Sequence, residues 1–137
     1  MIYRPTSAPE HERLNEQHEA FTELMHGRVF HASLEDPHCI LDVGCGTGVV
    51  SCIFSQMFPS AKVYGVDLSP VPAANSKPKN VSFIQGVMPR MAYFDDTGVF
   101  AEASFDLVFS RLLVAGMCGW QEYMKTAAKL VKPGGYV

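Results

Sequence analysis

The sequence predicts an α/β fold with a doubly wound parallel sheet, and three observations support this class. Apolar runs of strand length alternate with segments of helical periodicity, which is the pattern of βαβ units. A turn with three alternating glycines, Gly44 to Gly48, directly follows the apolar run Cys39 to Val43. The next apolar run ends in Asp67, about 20 residues beyond the turn, where the second strand of such a unit carries its acid. These elements predict a Rossmann-like core.

Length and composition fit one domain that is not built to neutralise phosphates. The 137 residues are 47% hydrophobic and carry a formal net charge of −3. Because the basic residues are scattered, this balance argues against a nucleic-acid-binding protein. No apolar run approaches the roughly 20 residues that span a bilayer, and the N-terminal stretch has no signal core. We expect a cytoplasmic protein, with the nucleus as the alternative.

The cysteines and histidines do not form a recognisable metal site. The four cysteines lack C-x-x-C spacing, and the five histidines lack the spacing of a ligand pair. We therefore expect no zinc site, and we expect the cysteines to be reduced and partly buried. These cysteines are Cys39, Cys45, Cys52 and Cys118.

The glycine turn also indicates its ligand. Its spacing is G-x-G-x-G, with Val49 where a dinucleotide site has its third glycine. Asp42 and Asp67 flank the turn, no lysine or arginine lies in it, and the G-K-[ST] ending of a P-loop is missing. A nucleoside with a cationic, phosphate-free tail fits this pattern better than a dinucleotide does. Segment 49–58, which Pro59 ends, is predicted to be a helix and 61–67 the second strand.

The N-terminal segment predicts one long helix after an irregular arm of residues 1–7. Ser7 and Glu10 have the spacing of a capping box, and Gly27 offers a C-terminal stop. Two interpretations of this helix stay open. It either packs against the sheet or lies across the mouth of the cofactor site, with Gln17 or His18 pointing inward.

The second half of the chain departs from regular βαβ alternation. Three prolines in 68–78 exclude a crossover helix, and 81–85 and 105–110 read as strands separated by a long connection. Ser110 and Arg111 follow the second of these strands, so they should border the same crevice as Gly44 and Asp67.

The C-terminal segment predicts a helix over 120–131, with Tyr123, Ala127, Leu130 and Val131 on its inner face. A turn at 132–135 then leads into a strand that has only begun at Tyr136 and Val137. We therefore expect a sheet cut at the start of its fifth strand. Either the chain is part of a longer protein or a homo- or hetero-oligomeric partner completes the sheet.

These motifs carry a family resemblance that extends over nearly the whole chain. LDVGCGTG followed by VDLS resembles the cofactor motifs of class I S-adenosylmethionine (SAM) methyltransferases. The segment from Glu12 to His31, the strand FDLVFSR and the LVKPGG turn are similar to fungal methyltransferases of the LaeA type. The resemblance implies a class I methyltransferase fold of seven strands. Residues 1–137 would be the N-terminal portion of one such domain, with 1–31 as arm and capping helix and 38–137 as the cofactor-binding core.

The resemblance also implies roles for particular residues. Asp67 would hold the ribose hydroxyls, Leu68 would lie beside the adenine, and Ser110 would border the methyl-transfer site. Family members commonly carry an acid after the third strand, but Gly86, Val87 and Met88 stand there, so adenine recognition would rest on backbone groups and apolar contacts, including Met88. The methionine portion would contact Asp42, Gly44, Cys45, Gly46 and Gly48.

Two functions from different classes follow. The first is a SAM-dependent methyltransferase acting on a small molecule, in fungal secondary metabolism or its regulation. The alternative is a catalytically inactive, methyltransferase-like protein that docks to a partner completing its sheet. A nicotinamide oxidoreductase is disfavoured by the glycine spacing. No catalytic residue is assigned, because His18, His26 and Tyr3 are candidate bases only by position; Arg111 could orient an acidic acceptor or form a salt bridge.

Overall fold

The computed structural model describes residues 7–73, 77–88, 98–114 and 116–137. Residues 1–6 of the predicted arm, 74–76 of the proline-rich loop and 89–97 of the long connection before 105 lie outside these residues. The described elements, in chain order, are α1 (Ala8–Leu24), β1 (Cys39–Val43), α2 (Val49–Met57), β2 (Lys62–Asp67), β3 (Val81–Gln85), β4 (Phe105–Ser110), α3 (Trp120–Leu130) and β5 (Val131–Tyr136).

The strands form one parallel five-stranded sheet in the order β3-β2-β1-β4-β5, which confirms the predicted fold class. The order reverses beside β1, because the chain moves outward to β2 and β3 and then returns to β4. Val43, the last residue of β1, is level with Val66 and with Ser110. The carboxyl ends of β1, β2 and β4 therefore meet at one edge, at the switch point where ligands bind in such sheets.

Both faces of the sheet are buried, as the continuous apolar strands require. On one face, Leu41 and Phe105 pack in a cluster with Tyr123 and Leu130 of α3. On the other face, Ile40 and Leu107 pack with Phe54 of α2. Neighbouring residues of β1 serve opposite faces, and both Ile40 and Leu41 are fully buried. The central strand is thus fixed from both sides, so the loop at its carboxyl end starts from a rigid support.

Helix α1 begins and ends where the sequence predicted, but its N-terminal contacts differ. The Ser7 side chain makes no capping hydrogen bond; its carbonyl instead accepts the N–H groups of Glu10 and His11. The Glu10 carboxylate accepts from Arg13 Nε at 2.9 Å, so the predicted capping box is wrong. At the other end, Gly27 (φ +80°) donates its N–H to the Thr22 carbonyl at 2.8 Å, which closes the helix in a Schellman-type stop.

The C-terminal strand starts earlier than predicted. β5 begins at Val131, which the sequence placed on the inner face of the preceding helix, and runs to Tyr136. It pairs with β4 at both ends, with a register shift between them. Gly134 lies in this irregular stretch at φ +81°, and a Cβ on Gly135 would be 2.8 Å from the Asp106 carbonyl. The K-P-G-G signal is thus an irregularity inside a strand.

Asp106 ties the sheet together at the end opposite the crevice. Its Oδ2 accepts the backbone N–H groups of His38 (2.8 Å) and Cys39 (2.9 Å), and Lys132 Nζ donates to Oδ1 at 2.9 Å. Burial raises the pKa of Asp106, but the hydrogen bonds from Lys132, Cys39 and His38 outweigh it and leave the pKa below its ordinary value. One carboxylate therefore joins the start of β1, β4 and β5.

Candidate functional site

A cavity of about 560 Å³ opens at the carboxyl ends of β1, β2 and β4. Its walls come from the turn after β1, the end of β2, the segment after β3, the segment after β4, and helix α1. Helix α1 contributes Arg13, Leu14, Gln17 and His18. Of the two interpretations of this helix, the structure supports the one in which it lies across the mouth of the site.

The glycine turn is held to β2 by backbone hydrogen bonds. Gly44 and Cys45 both donate to the Val66 carbonyl, at 2.8 and 3.1 Å. Gly44 has φ +71°, and a Cβ there would overlap the Leu113 side chain. Gly46 has φ +56°, but its nearest neighbour would be Leu14 Cδ1 at 3.6 Å, so it faces open cavity. Gly44 is needed for packing, whereas Gly46 leaves space for a ligand.

Gly48 does not line the cavity. It precedes α2 at φ +79°, and a Cβ there would lie 2.5 Å from Phe83 Cζ and 3.1 Å from Val71 Cγ1. The third glycine therefore allows α2 to pack closely on β3. The structure gives it a structural position and does not bring it to the predicted ligand.

Asp67 stands at the end of β2 and holds the turn by its carboxylate. Oδ2 accepts the Gly46 N–H at 2.8 Å, and Oδ1 accepts the Ser69 N–H at 2.9 Å. Both oxygens keep further acceptor capacity. Leu68 lies beside it on the cavity wall, its carbonyl held by Gln85 Nε2 at 3.0 Å. The predicted ribose and adenine residues thus share one wall.

The adjoining wall is apolar, as expected from the residues after β3. Val87 and Met88 both line the cavity; Met88 is buried, and Val87 is exposed. No acid stands at Gly86, Val87 or Met88. A flat aromatic ligand would find apolar contacts and backbone groups on this side.

Asp42 is the buried charge at the floor of the site. Its side chain is 2% exposed and accepts a hydrogen bond from Ser51 Oγ at 2.6 Å. Burial raises its pKa to about 6, the Ser51 hydrogen bond and Arg111 oppose that rise, and Asp67 adds to it. A carboxylate in this setting is stabilised by a cation placed next to it.

Cys45 lines the cavity, but its environment makes it inert. It is buried, and burial followed by the charges of Asp42 and Asp67 raises the pKa of the thiol. A thiolate is the nucleophilic form of cysteine, so this thiol is not activated. The residue supplies shape to the turn.

Ser110 does not lie on the cavity wall, although sequence reasoning placed it there. Successive strand residues point to opposite faces, and Phe109 and Arg111 line the cavity. Ser110 lies near Tyr123 of α3, whose buried hydroxyl has no hydrogen-bond partner among the described residues. Burial raises the pKa of Tyr123, and the nearby Ser110 hydroxyl opposes that rise. Arg111 thus borders the crevice as the sequence predicted, and Phe109 rather than Ser110 lines it on the strand.

Arg111 and His18 form a contact that the sequence did not reveal. Arg111 Nη2 lies 2.8 Å from His18 Nδ1, and the guanidinium sits 5.6 Å from the centre of the Phe21 ring. Burial and then the Arg111 charge lower the pKa of His18, so its imidazole is neutral near pH 7. Because arginine only donates, Nδ1 is the acceptor and the ring proton is on Nε2. No spacing rule links residues so far apart in sequence.

Neither a metal-binding cluster nor a membrane-spanning helix is present in the described part of the chain. No cluster of three or more histidine, cysteine or acidic side chains there could hold a metal ion. No described helix has the length and apolar character needed to cross a membrane.

Solved structures share the fold. A putative methyltransferase in complex with the Haloferax volcanii Trm112 activator superposes with a TM-score of 0.68 at 20% identity, over 94% of this chain and 55% of the other. The Burkholderia thailandensis 1,6-didemethyltoxoflavin-N1-methyltransferase, solved with its acceptor and S-adenosylhomocysteine (SAH), gives 0.60 at 20% identity, over 98% and 65%. At this identity the likeness establishes the fold alone.

The secondary metabolism regulator laeA of Monascus pilosus is 30% identical over 140 residues, which cover 99% of this chain and 36% of that protein. The protein-methionine methyltransferase laeA of Emericella nidulans is 31% identical over 142 residues, which cover 99% of this chain and 35% of that protein. Methyltransferase str3 of Strobilurus tenacellus is 31% identical over 133 residues, covering 97% and 45%. The chain thus spans less than half the length of these relatives.

The family comparison covers most of the fold. The family described as "Methyltransferase domain" matches residues 41–137. This range includes all but the first two residues of β1, the glycine turn, Asp67 and every later strand. The chain therefore belongs to the methyltransferase domain family.

Proposed function

We propose that the protein binds SAM in the cavity and transfers its methyl group to a small-molecule acceptor. The observation that carries the proposal is the pairing of Gly46 with Asp67: a backbone position open to the cavity is fixed by the carboxylate that also faces it. No lysine or arginine lies in the turn, so the arrangement suits a ligand with ribose hydroxyls and no phosphate. SAM is such a ligand.

The cavity walls suggest how SAM would lie. The ribose would bind Asp67, the adenine would rest between Leu68 and Met88, and the methionine portion would extend along Gly44 and Gly46. The buried Asp42 would compensate positive charge on the cofactor. The predicted contact with Gly48 is left out of this proposal, since that residue packs against Phe83.

The chemistry asks little of the protein beyond placement. SAM supplies a methyl group that its sulfonium already activates. An acceptor nucleophile forms a bond to the methyl carbon, the carbon–sulfur bond breaks, and its electron pair returns to sulfur, giving SAH. Residues that hold the two reactants in line can lower such a barrier by several kcal/mol. No general base is assigned, and His18 is turned toward Arg111.

Several features support a small, largely apolar acceptor. The cavity mouth carries exposed apolar side chains, Leu112 and Val114, on the segment after β4. The Monascus pilosus relative is named a secondary metabolism regulator, and we propose secondary metabolism as the setting here, in the cytoplasm or the nucleus. The name of the Emericella nidulans relative specifies a protein methionine instead. Transfer of labelled methyl to protein rather than to small molecules would replace our acceptor class.

Calorimetric titration with SAH tests the cofactor assignment. We expect saturable binding of SAH by the full-length protein and weaker binding of NAD. If SAH does not bind at millimolar concentration, the proposal of a SAM-dependent methyltransferase is contradicted. That result would favour the docking alternative, in which a methyltransferase-like domain acts through a partner. Preference for NAD would support an oxidoreductase.

A further inference from the structure

Arg111 carries a buried donor that nothing in the described part of the protein satisfies. Its Nη2 is committed to His18, whereas its Nη1 is buried without a hydrogen-bond partner. A buried donor on a charged group that has no acceptor lowers the stability of the protein. Such a group in a cavity wall indicates an acceptor that arrives with a ligand.

The guanidinium is held in a fixed position. His18 Nδ1 accepts a hydrogen bond from Nη2 at 2.8 Å. The guanidinium carbon lies over the Phe21 ring, 5.6 Å from the ring centre. His18 is itself placed by α1, where its Nε2 lies 3.5 Å from Thr22 Oγ1. A guanidinium held in this way keeps Nη1 for an incoming acceptor, and a carboxylate is a common partner of arginine.

The buried carboxylate on the cavity wall is that of Asp42, whereas Asp67 lies at the end of β2. Asp42 influences Arg111 electrostatically, but the two form no salt bridge among the residues that the structure describes. The cavity walls thus carry a buried carboxylate on β1 and a guanidinium just after β4. A ligand group that has an ammonium and a carboxylate on one carbon fits between these two charges.

The strand order indicates which part of the ligand reaches Arg111. Neighbouring strands are about 4.8 Å apart, so a ligand running from Asp67 on β2 past β1 to Arg111 after β4 spans roughly 10 Å. A ribose at Asp67 would place the far end of the cofactor beside Arg111. We infer that Arg111 binds the α-carboxylate of the cofactor's amino-acid end and that His18 positions it; this rests on the function proposed above.

Three adenosine ligands separate the groups that are recognised. SAH has the whole amino-acid end, its decarboxylated analogue lacks only the carboxylate, and 5′-methylthioadenosine lacks the amino-acid end altogether. Calorimetry on the unmodified full chain should show SAH binding 10- to 100-fold more tightly than the decarboxylated analogue. Equal binding of these two ligands overturns the inference while leaving the proposed function intact. Failure of SAH to bind at all overturns both.

Variants locate the effect at Arg111. Arg111→Met should weaken SAH binding 10- to 100-fold and change binding of the decarboxylated analogue less than threefold. Arg111→Lys should recover part of the loss. A parallel loss for SAH, the analogue and 5′-methylthioadenosine would show a structural role and overturn the inference.

His18 provides a test of positioning. His18→Gln, which keeps an acceptor for Nη2, should retain SAH affinity within fivefold, whereas His18→Leu should follow Arg111→Met. The loss in His18→Leu should appear in the KM for SAM more than in kcat. Indistinguishable SAH affinities for His18→Gln and His18→Leu would contradict a positioning role. Thermal melts of each variant check that the fold is retained.

Discussion

The turn after β1 and the segment after β4 border the same cavity. They differ in how many of their hydrogen-bonding groups already have a partner within the protein. In the turn, Gly44 and Cys45 donate to Val66, and Gly46 donates to Asp67. The segment after β4 contains Arg111 with an unpaired Nη1, and Leu112 at φ +61°. It also contains Val114, which is 81% exposed.

The difference separates two roles at one edge of the sheet. The turn reaches its shape through hydrogen bonds to β2 and needs no ligand to keep it. The segment after β4 holds backbone strain, an unpaired donor and exposed apolar surface, which are features found where a ligand completes the structure. The side of the cavity formed by the glycine turn is preorganised, whereas the side formed by the segment after β4 depends on what binds there.

Gly46→Val is the substitution with the largest expected effect on the preorganised half. Its side chain would fill open cavity next to Asp67, so SAH affinity should fall more than 100-fold by calorimetry. The protein should lose only about 1–2 kcal/mol of stability, from a branched residue at positive φ. Gly27→Val is the matched control, because Gly27 also has positive φ and has nothing within 4 Å of its Cβ position. A comparable loss of affinity in the control would show that strain, not occlusion, is responsible.

Asp67→Ala should weaken SAH binding by roughly 1–3 kcal/mol, because charge-assisted hydrogen bonds to the ribose are lost. It should also lower stability, since the N–H groups of Gly46 and Ser69 lose their acceptor. Calorimetry and thermal melts measure the two effects.

Asp106→Ala is the control for Asp67→Ala. Asp106 also accepts two backbone N–H groups, but at the opposite end of β1. It should lower stability and leave SAH affinity unchanged. Unchanged affinity in Asp67→Ala would place the ribose elsewhere and remove the proposed function of this wall.

The sequence predicted the fold well where the signal is local. The apolar runs and the glycine turn determine β1, α2 and β2, since each follows from residues next to one another. The predicted helix after Gly119 ran one residue too far, into Val131, because a helix and a buried strand both accept an apolar residue at that boundary. The capping box was wrong because the Ser7 side chain makes no capping hydrogen bond, which the spacing of Ser7 and Glu10 alone does not reveal.

The candidate site was predicted less completely, because its details depend on side-chain direction and on distant neighbours. Ser110 and Arg111 were both placed at the crevice, but the alternation of β4 directs Ser110 toward Tyr123. Gly48 matched a ligand motif, yet Phe83 of another strand decides its role. The His18–Arg111 contact joins α1 to the end of β4, and only the folded chain brings them together.

Asp42→Asn should stabilise the protein while weakening the site. The pKa of Asp42 is raised to about 6 from an ordinary 3.8. Between these values the folded state binds more protons than the unfolded state, so this group's contribution to stability is lost as pH rises through 6. The gain in the free energy of unfolding of Asp42→Asn over wild type should therefore be larger at pH 8 than at pH 4.5. The expected difference between the two gains is on the order of 1–3 kcal/mol.

Denaturant unfolding of wild type and Asp42→Asn at the two pH values measures this difference. Asp106→Asn is the control with the opposite sign, because the pKa of Asp106 lies below its ordinary value and its stabilisation is lost as pH falls. If the stability difference between Asp42→Asn and wild type does not change with pH, the pKa of Asp42 is not raised in the folded protein.

Leu112→Gly is the smallest expected effect and tests the segment after β4 directly. Leu112 is 45% exposed at φ +61°. Relief of the left-handed backbone should offset the entropy cost of glycine, each being about 1 kcal/mol, so stability should change by about 0.5 kcal/mol or less. Val114→Gly, at a more exposed residue without positive φ, should cost about 0.5–1 kcal/mol. If chemical denaturation shows that Leu112→Gly lowers the free energy of unfolding more than Val114→Gly does, packing of the Leu112 side chain outweighs its backbone strain. The segment after β4 would then be stabilised by its own contacts as fully as the glycine turn is.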